Sequence, residues 1–512
     1  MFSGTLSVPF GWKEIILCAN EYMSQKGQIK CQKTPSPLAH WLEAVMSKEK
    51  VRAGDMTVGS PLKIIFLFTI PLLIGNVFQK AYNIVDTMVV GYTLGDNAIA
   101  AIGATAALWR MVINFAFGMN NGCAIEITRY FGANNIRQIK KSVASTMIIN
   151  AGVCITLTTF TTVFLKPLLS FLNTPEKIYQ QAYTYIFILC CGMVTTVAYN
   201  MFSAILRSFG NSKVSLYFLI LSTLCNVLLD VLFVAVFKLG IVGVACATVL
   251  AQLLSAILCG LYTFKKYYEY MPALSDFRVS RSLLWEVFTS GFAMALMYCV
   301  VDFGSVIFQS ANNVLGEVYI AAFSAAKTWI DIIMSPASMI STAFATFVGQ
   351  NRGAGKFDRI RNTLKSILIV EILYGFFSCF IAYVAGPALV AFSTGSHDET
   401  LIYNAALSLR IHLPLSPALG VLVVLRSMMQ SMGQKILPVI SSSMELGMKI
   451  LSAAIFIPHW GYVGTCITEP ITWFLCMVYL IICYFVSCRK RLTSGDGVNG
   501  TLTVPFGSQN MK

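Results

Sequence analysis

Charge is scarce in this chain: only 12% of its 512 residues are Asp, Glu, Lys or Arg, against 56% that are hydrophobic. So few polar side chains cannot cover a water-soluble globule of this size, which excludes the soluble classes and leaves the bilayer as solvent. Histidine is scarcer still: His40, His397, His412 and His459 are scattered, with no spacing that would build a metal site. No Cys-x-x-Cys pair occurs among the fifteen cysteines, and Cys154, Cys190, Cys191, Cys225, Cys246 and Cys259 lie inside apolar segments, so they read as buried thiols rather than a disulfide scaffold. HExxH, GxSxG and Asp-rich strings are missing, so nothing marks a membrane-embedded enzyme. Residues 1–55 have no charged leader ahead of an apolar core and do not resemble a cleaved signal peptide.

Apolar runs are what the chain has in abundance. Met147 to Leu165, Tyr217 to Phe237 and Ile241 to Phe264 are nearly free of charge, and each is long enough for a helix to cross about 30 Å of hydrocarbon. A β-barrel would instead show alternating segments of about ten residues. The fold expected is all-α: a polytopic membrane protein of twelve transmembrane helices in two six-helix bundles.

The net charge of +14 would suggest a nucleic-acid partner in a soluble protein, but here the bases cluster in alternate loops. Arg129, Arg137, Lys140 and Lys141 follow the second hydrophobic segment, Lys265, Lys266, Arg278 and Arg281 the sixth, and Arg352, Lys356, Arg359 and Arg361 the eighth. The positive-inside rule places these loops and both termini in the cytoplasm of a plasma (inner) membrane protein. The expected division is a cytoplasmic tail over 1–55, a first lobe over 56–270, a second over 271–488 and a tail over 489–512. Met46 and Met56 are alternative starts for the chain.

The chain also repeats itself at an offset of 221. Leu94 and Gly95 match Leu315 and Gly316, IAAIGA from Ile99 matches IAAFSA from Ile320, Gly132 matches Gly353, and Gly240 matches Gly461. Equivalents separated by an even number of crossings have the same topology, so the lobes should relate by a pseudo-two-fold along the membrane normal. Two similar bodies of this kind can rock and expose a central cleft to either side in turn.

Ionisable groups inside hydrocarbon are functional candidates by default. Asp86 lies nine residues before Gly95, Asp230 ten before Gly240, and Thr248 eight after it, which sets all three roughly 12–15 Å from the outer turns. Asn226 shares a helix face with Asp230, and Gln79, Asn83 and Asp86 form a stripe at i, i+4 and i+7. The result is a polar pocket in which two carboxylates repel, so one is expected to hold a proton near neutrality. If Na⁺ enters instead, Asp230, Asn226 and Thr248 offer hard oxygen ligands. Proton and sodium stay open at this point.

Lys327 with Asp331 and Glu445 with Lys449 are i, i+4 pairs that neutralise each other and rank low as sites. Asp302 and Glu371, with no sequence-local partner, are candidates to face substrate, as is Tyr82 in the first helix. Pro71 and Gly75 permit a kink below Asp86.

The segment from Ile70 to Ala104, with AILRSFGNSK from Ala204, CNVLLDVLFV from Cys225 and GIVGVACATVLAQ from Gly240, resembles the multidrug and toxic compound extrusion transporters, and the likeness runs from about Ser60 to about Cys488. The resemblance implies a two-lobed exporter that trades inward H⁺ or Na⁺ for outward movement of organic cations and other amphipathic drugs. It also implies that Asp86, Asn226, Asp230 and Thr248 form the coupling-ion site. Val301 and Leu422 stand where a sodium-coupled branch carries acids, with Asp302 one place away, so the chain looks more like the DinF-like bacterial branch. The expectation is a monomer without a cofactor, whose partners are small drugs and membrane lipid and not nucleic acid. The alternative is a flippase for lipid-linked oligosaccharide or another precursor. It would need a wide cationic cavity, for which Lys80, Arg110 and Lys327 are few.

Overall fold

The computed structural model describes residues 54–171, 174–394 and 398–489, without side chains at 81–84. The expected tails over 1–55 and 489–512 therefore lie almost wholly outside the described residues. Among these there is no strand, and the helices are α1 (Pro61–Leu94), α2 (Asp96–Gly132), α3 (Ile136–Phe171), α4 (Glu176–Cys191), α5 (Met193–Ser208), α6 (Ser212–Asp230) and α7 (Gly240–Lys266). The second half continues with α8 (Arg281–Asn312), α9 (Glu317–Gly353), α10 (Phe357–Thr394), α11 (Glu399–His412), α12 (Ser416–Ser431), α13 (Ile436–Leu451) and α14 (Ile457–Cys483).

Among the described residues ten runs are long and apolar enough to span a bilayer, and α4 with α5, bent by 47° at Gly192, makes an eleventh. One of the ten, Ile436–Cys488, breaks at Gly461, whose φ of 54° and ψ of −133° are not helical. That break gives the twelfth span. Gly240, its match in the first half, also has positive φ, at 62°. Only glycine takes this conformation without strain, and it allows a span to reverse in one residue.

Polarity is turned inside out relative to a soluble protein. Ile155, Leu228, Phe376 and Val384 are exposed, while Asn120, Ser142, Gln350 and Ser378 are buried. With no water in hydrocarbon, backbone polar groups must bond within the helix, and side-chain polar groups turn to other helices.

Packing repeats along with the sequence. α1 lies on α6 as α8 lies on α13, α5 on α7 as α12 on α14, and α2 on α3 as α9 on α10. Between halves, α2 meets α8 and α9 meets α1, two contacts that exchange under a two-fold, while α2 and α9 meet each other across the axis. The expected two six-helix bundles related by that operation are present. Pro71 sits inside an unbroken α1, and Gly75 serves to let Leu219 of α6 approach.

The halves close on each other at the end that carries the basic loops. Gly118 of α2 faces the backbone of Ala295 in α8, and Gly122 that of Ser290. Arg129 of α2 pairs with Glu286 of α8 at 3.0 Å and with buried Glu126 at 2.9 Å. Gln350 Nε2 of α9 donates to the carbonyl of Ser208 in α5 at 3.1 Å.

A short strap ahead of α1 lies across this closure. Gly54 packs on the backbone of Gly210, in the α5–α6 turn. Met56, 2% exposed, donates its N–H to Gln350 Oε1 at 2.9 Å, and its carbonyl accepts from Asn351 and Arg359. Main chain from the first half is thereby bonded to side chains of the second.

Candidate functional site

α1 and α6 bring two carboxyls together inside the first half. Asp230, 1% exposed, ends the α-helical part of α6, and the next six residues, Val231–Val236, wind as a wider π-helix. Such a local widening re-aims neighbouring side chains and frequently accompanies functional positions. The carboxyl of Asp86 in α1 is apposed to that of Asp230, and Tyr185 of α4 lies within electrostatic reach of both.

No described donor reaches Asp86 Oδ1 or either Asp230 oxygen, and both amide atoms of Asn226, 3% exposed, are equally unbonded. Gln252 Oε1, one turn beyond Thr248 on α7, is a further buried oxygen without a partner. Thr248 spends its hydroxyl hydrogen on the Val244 carbonyl at 3.1 Å, leaving its oxygen as an acceptor. Buried polar groups left unpaired in this way are costly, and each calls for an explanation. A set of hard oxygens lacking donors fits a proton or an alkali cation.

The other expected residues are dispersed. Gln79 is exposed on α1, and the side chains of Tyr82 and Asn83 lie outside the described residues. Asp302 of α8 accepts from Asn114 Nδ2 of α2 at 2.8 Å, so it bridges the halves rather than joining the cluster. Glu371 is buried in α10 with neither carboxylate oxygen bonded, held against Gly420 of α12 inside the second half.

The i, i+4 pairs have partners that sequence spacing hides. Lys327 Nζ bonds both carboxylate oxygens of Glu469 on α14, at 3.0 and 2.9 Å, and is 3.5 Å from Asp331. Glu445 is shared between Lys449 and Arg426 of α12. The expectation that these pairs are self-contained is corrected: each is a link between helices.

The two halves differ most at the helix pair that carries the cluster. α1 and α6 place acids between them, whereas α8 and α13 enclose the Lys449 ammonium, which is 3% exposed and donates to Ser305 Oγ at 2.9 Å. The second half thus carries a cation of its own at the pair of helices where the first has carboxylates.

Comparison with known proteins agrees with this architecture. The family profile MatE matches residues 71–232 and again 293–455, one copy in each half. The chain is 29% identical over 314 residues to the probable multidrug resistance protein YpnP of Bacillus subtilis (strain 168), covering 60% of this chain and 69% of that one. It is 26% identical over 438 residues to the probable multidrug resistance protein YoeA of the same organism, covering 83% and 94%. Among solved structures, a crystal structure of MATE in the bent conformation superposes with a TM-score of 0.79 at 20% identity, over 87% of this chain and 99% of that one. With two profile copies spanning its two bundles, the chain belongs to the MatE family of multi-pass membrane transporters.

Proposed function

We propose that this transporter is a secondary exporter of organic cations and other amphipathic drugs, driven by inward H⁺ or Na⁺ through alternating access of its two halves. The observation that carries this reading is the group of unpartnered buried oxygens on Asp86, Asn226 and Asp230. Two apposed carboxylates with no base beside them among the described residues are tolerable in hydrocarbon only with a proton or a cation between them. Entry of that ion and its loss give the chamber two charge states, and a conformational equilibrium shifts only when the states bind the ion differently.

The names of YpnP and YoeA, both probable multidrug resistance proteins, support drugs as the cargo. In this reading the protein is a monomer in the plasma membrane with cytoplasmic termini, the first lobe runs over 56–270 and the second over 271–488. The closed end is cytoplasmic, because the basic loops lie there. The conformation is then outward-facing.

The test is ethidium transport in liposomes with pH and Na⁺ gradients imposed separately. One gradient should drive transport by the wild type and fail to drive Asp86→Asn or Asp230→Asn, since an amide cannot cycle a proton and is a poorer cation ligand. Equal transport by these variants sinks the proposal.

A further inference from the structure

The second half has a polar cluster of its own, at the break in its fourth span. α11 and α12 are separated by the turn Leu413–Leu415, and α4 and α5 are bent at Gly192, 221 residues before Leu413. Interrupted membrane helices free backbone groups, and in transporters such breaks accompany ion sites.

His412 stands at this break. It is fully buried, with the rings of Trp473 and Phe323 beside it. Its Nδ1 lies 2.8 Å from the Ser408 carbonyl oxygen. A carbonyl only accepts, so Nδ1 bears the hydrogen and Nε2 the lone pair. Nε2 is buried without a hydrogen-bond partner and lies 3.7 Å from Glu469 Oε2. A lone pair facing a carboxylate is repulsive until a proton comes between them.

Glu469 is the residue 221 positions after Thr248, and it is gripped by Lys327. Lys327 is 36% exposed at its side chain and lies on α9, the helix that meets α1, while Lys80 of α1 is near enough to feel the charges of Lys327 and Asp331. A line of neighbours therefore runs from a sealed imidazole to α1 of the other half, where the cleft between the halves is expected.

We propose that His412 Nε2 and Glu469 form a proton-binding site in the second half, separate from Asp86 and Asp230, whose occupancy is passed to the cleft through Lys327. A proton arriving from water adds to the Nε2 lone pair and no other bond breaks. The imidazolium then competes with Lys327 for Glu469, freeing the ammonium to turn to Asp331 or to an acidic group on a bound ligand. The titratable and charged groups around His412 are Lys327 and Asp331 of α9, Glu469, Tyr462 and Cys466 of α14, and Lys449 of α13. Glu371 of α10 is turned onto Gly420 instead.

The test uses the full chain in liposomes with ¹⁵N-labelled histidine, read by solid-state NMR from about pH 5 to pH 8, the interval in which imidazole titrates. His412→Asn keeps a donor for the Ser408 carbonyl and identifies the signal by its loss. The expected result is a neutral ring protonated at Nδ1 at high pH that becomes imidazolium as pH falls. The midpoint should rise by about one unit in Lys327→Met and fall by a similar amount in Glu469→Gln, the scale set by one charged neighbour. A ring that stays neutral throughout, or whose midpoint neither substitution moves, overturns the proposal. So does an ethidium transport rate whose pH dependence is unchanged in His412→Asn. Asp230→Asn leaves the NMR titration in place even though it removes transport under the reading above, so failure of either idea is seen separately.

Discussion

Gly132 lies so close to Gln350 that a Cβ on it would collide with the Gln350 carbonyl oxygen, and the two-fold mate of this contact is Gly353 against the Arg129 carbonyl oxygen. α2 and α9 therefore cross backbone to backbone where the halves close. Neither position tolerates a side chain without the helices parting.

Gly353→Ala should accordingly disfavour the closed arrangement. Overpacking costs typically about 1–3 kcal/mol, a shift of roughly 5- to 150-fold in a two-state population. Cys123 is a built-in reporter, since it is buried beneath Gly291 at the same interface. Its alkylation by N-ethylmaleimide, followed by mass spectrometry, should accelerate at least about tenfold, and an unchanged rate would count against this crossing being the gate.

Arg129→Gln should destabilise the fold more than its partly exposed bond to Glu286 suggests, because it leaves Glu126, 1% exposed, without its cation. Removing one member of a buried pair costs about 3–5 kcal/mol. Adding Glu126→Gln should recover most of the loss in thermal unfolding of the detergent-solubilised protein. If the double variant is no more stable than the single one, the account of Glu126 fails.

The strap can be tested through Gln350, which bonds Met56 on one side and Ser208 on the other. Each neutral hydrogen bond contributes about 0.5–1.5 kcal/mol, so Gln350→Ala should speed hydrogen exchange at the Met56 amide by roughly tenfold or more. Exchange as slow as in the wild type would show that burial alone protects that amide.

Glu445→Gln is expected to lower stability and to leave the driving ion unchanged. The substitution strips a counter-charge from Lys449 and Arg426 together. Thermal unfolding should fall by several degrees, the order expected for a loss of about 1–3 kcal/mol, while the Na⁺ and pH dependence of ethidium transport keeps its form.

Much of this molecule was legible in the residues because a membrane leaves few options. Charge scarcity and apolar run length gave the spans, and the offset of 221 gave the duplication. Depth counting from Gly95 and Gly240 set Asp86 and Asp230 at one level, where their carboxyls are apposed, since rise per residue is fixed once a helix is assumed. Tyr185 escaped because nothing local links a tyrosine in the fourth span to acids in the first and fifth. Gln252 was one turn from Thr248 and was readable by the same i, i+4 rule that had paired Asn226 with Asp230. Spacing misled for Lys327 and Glu445: proximity along one helix takes no account of which neighbouring helix approaches, and Glu469 and Arg426 arrive from elsewhere in the chain. The π-helix after Asp230 has no counterpart in composition.

The ammonium of Lys449 belongs to the chain, and it is buried against Ser305 and Glu445. The groove between α8 and α13 thus holds an ammonium of the chain itself, whereas its twin between α1 and α6 holds two acids. Two halves that repeat in sequence and packing therefore differ in the sign of the charge they enclose at the same pair of helices. Under the proposal for His412, a proton that reaches the second half is met at the break between α11 and α12 and not in this groove.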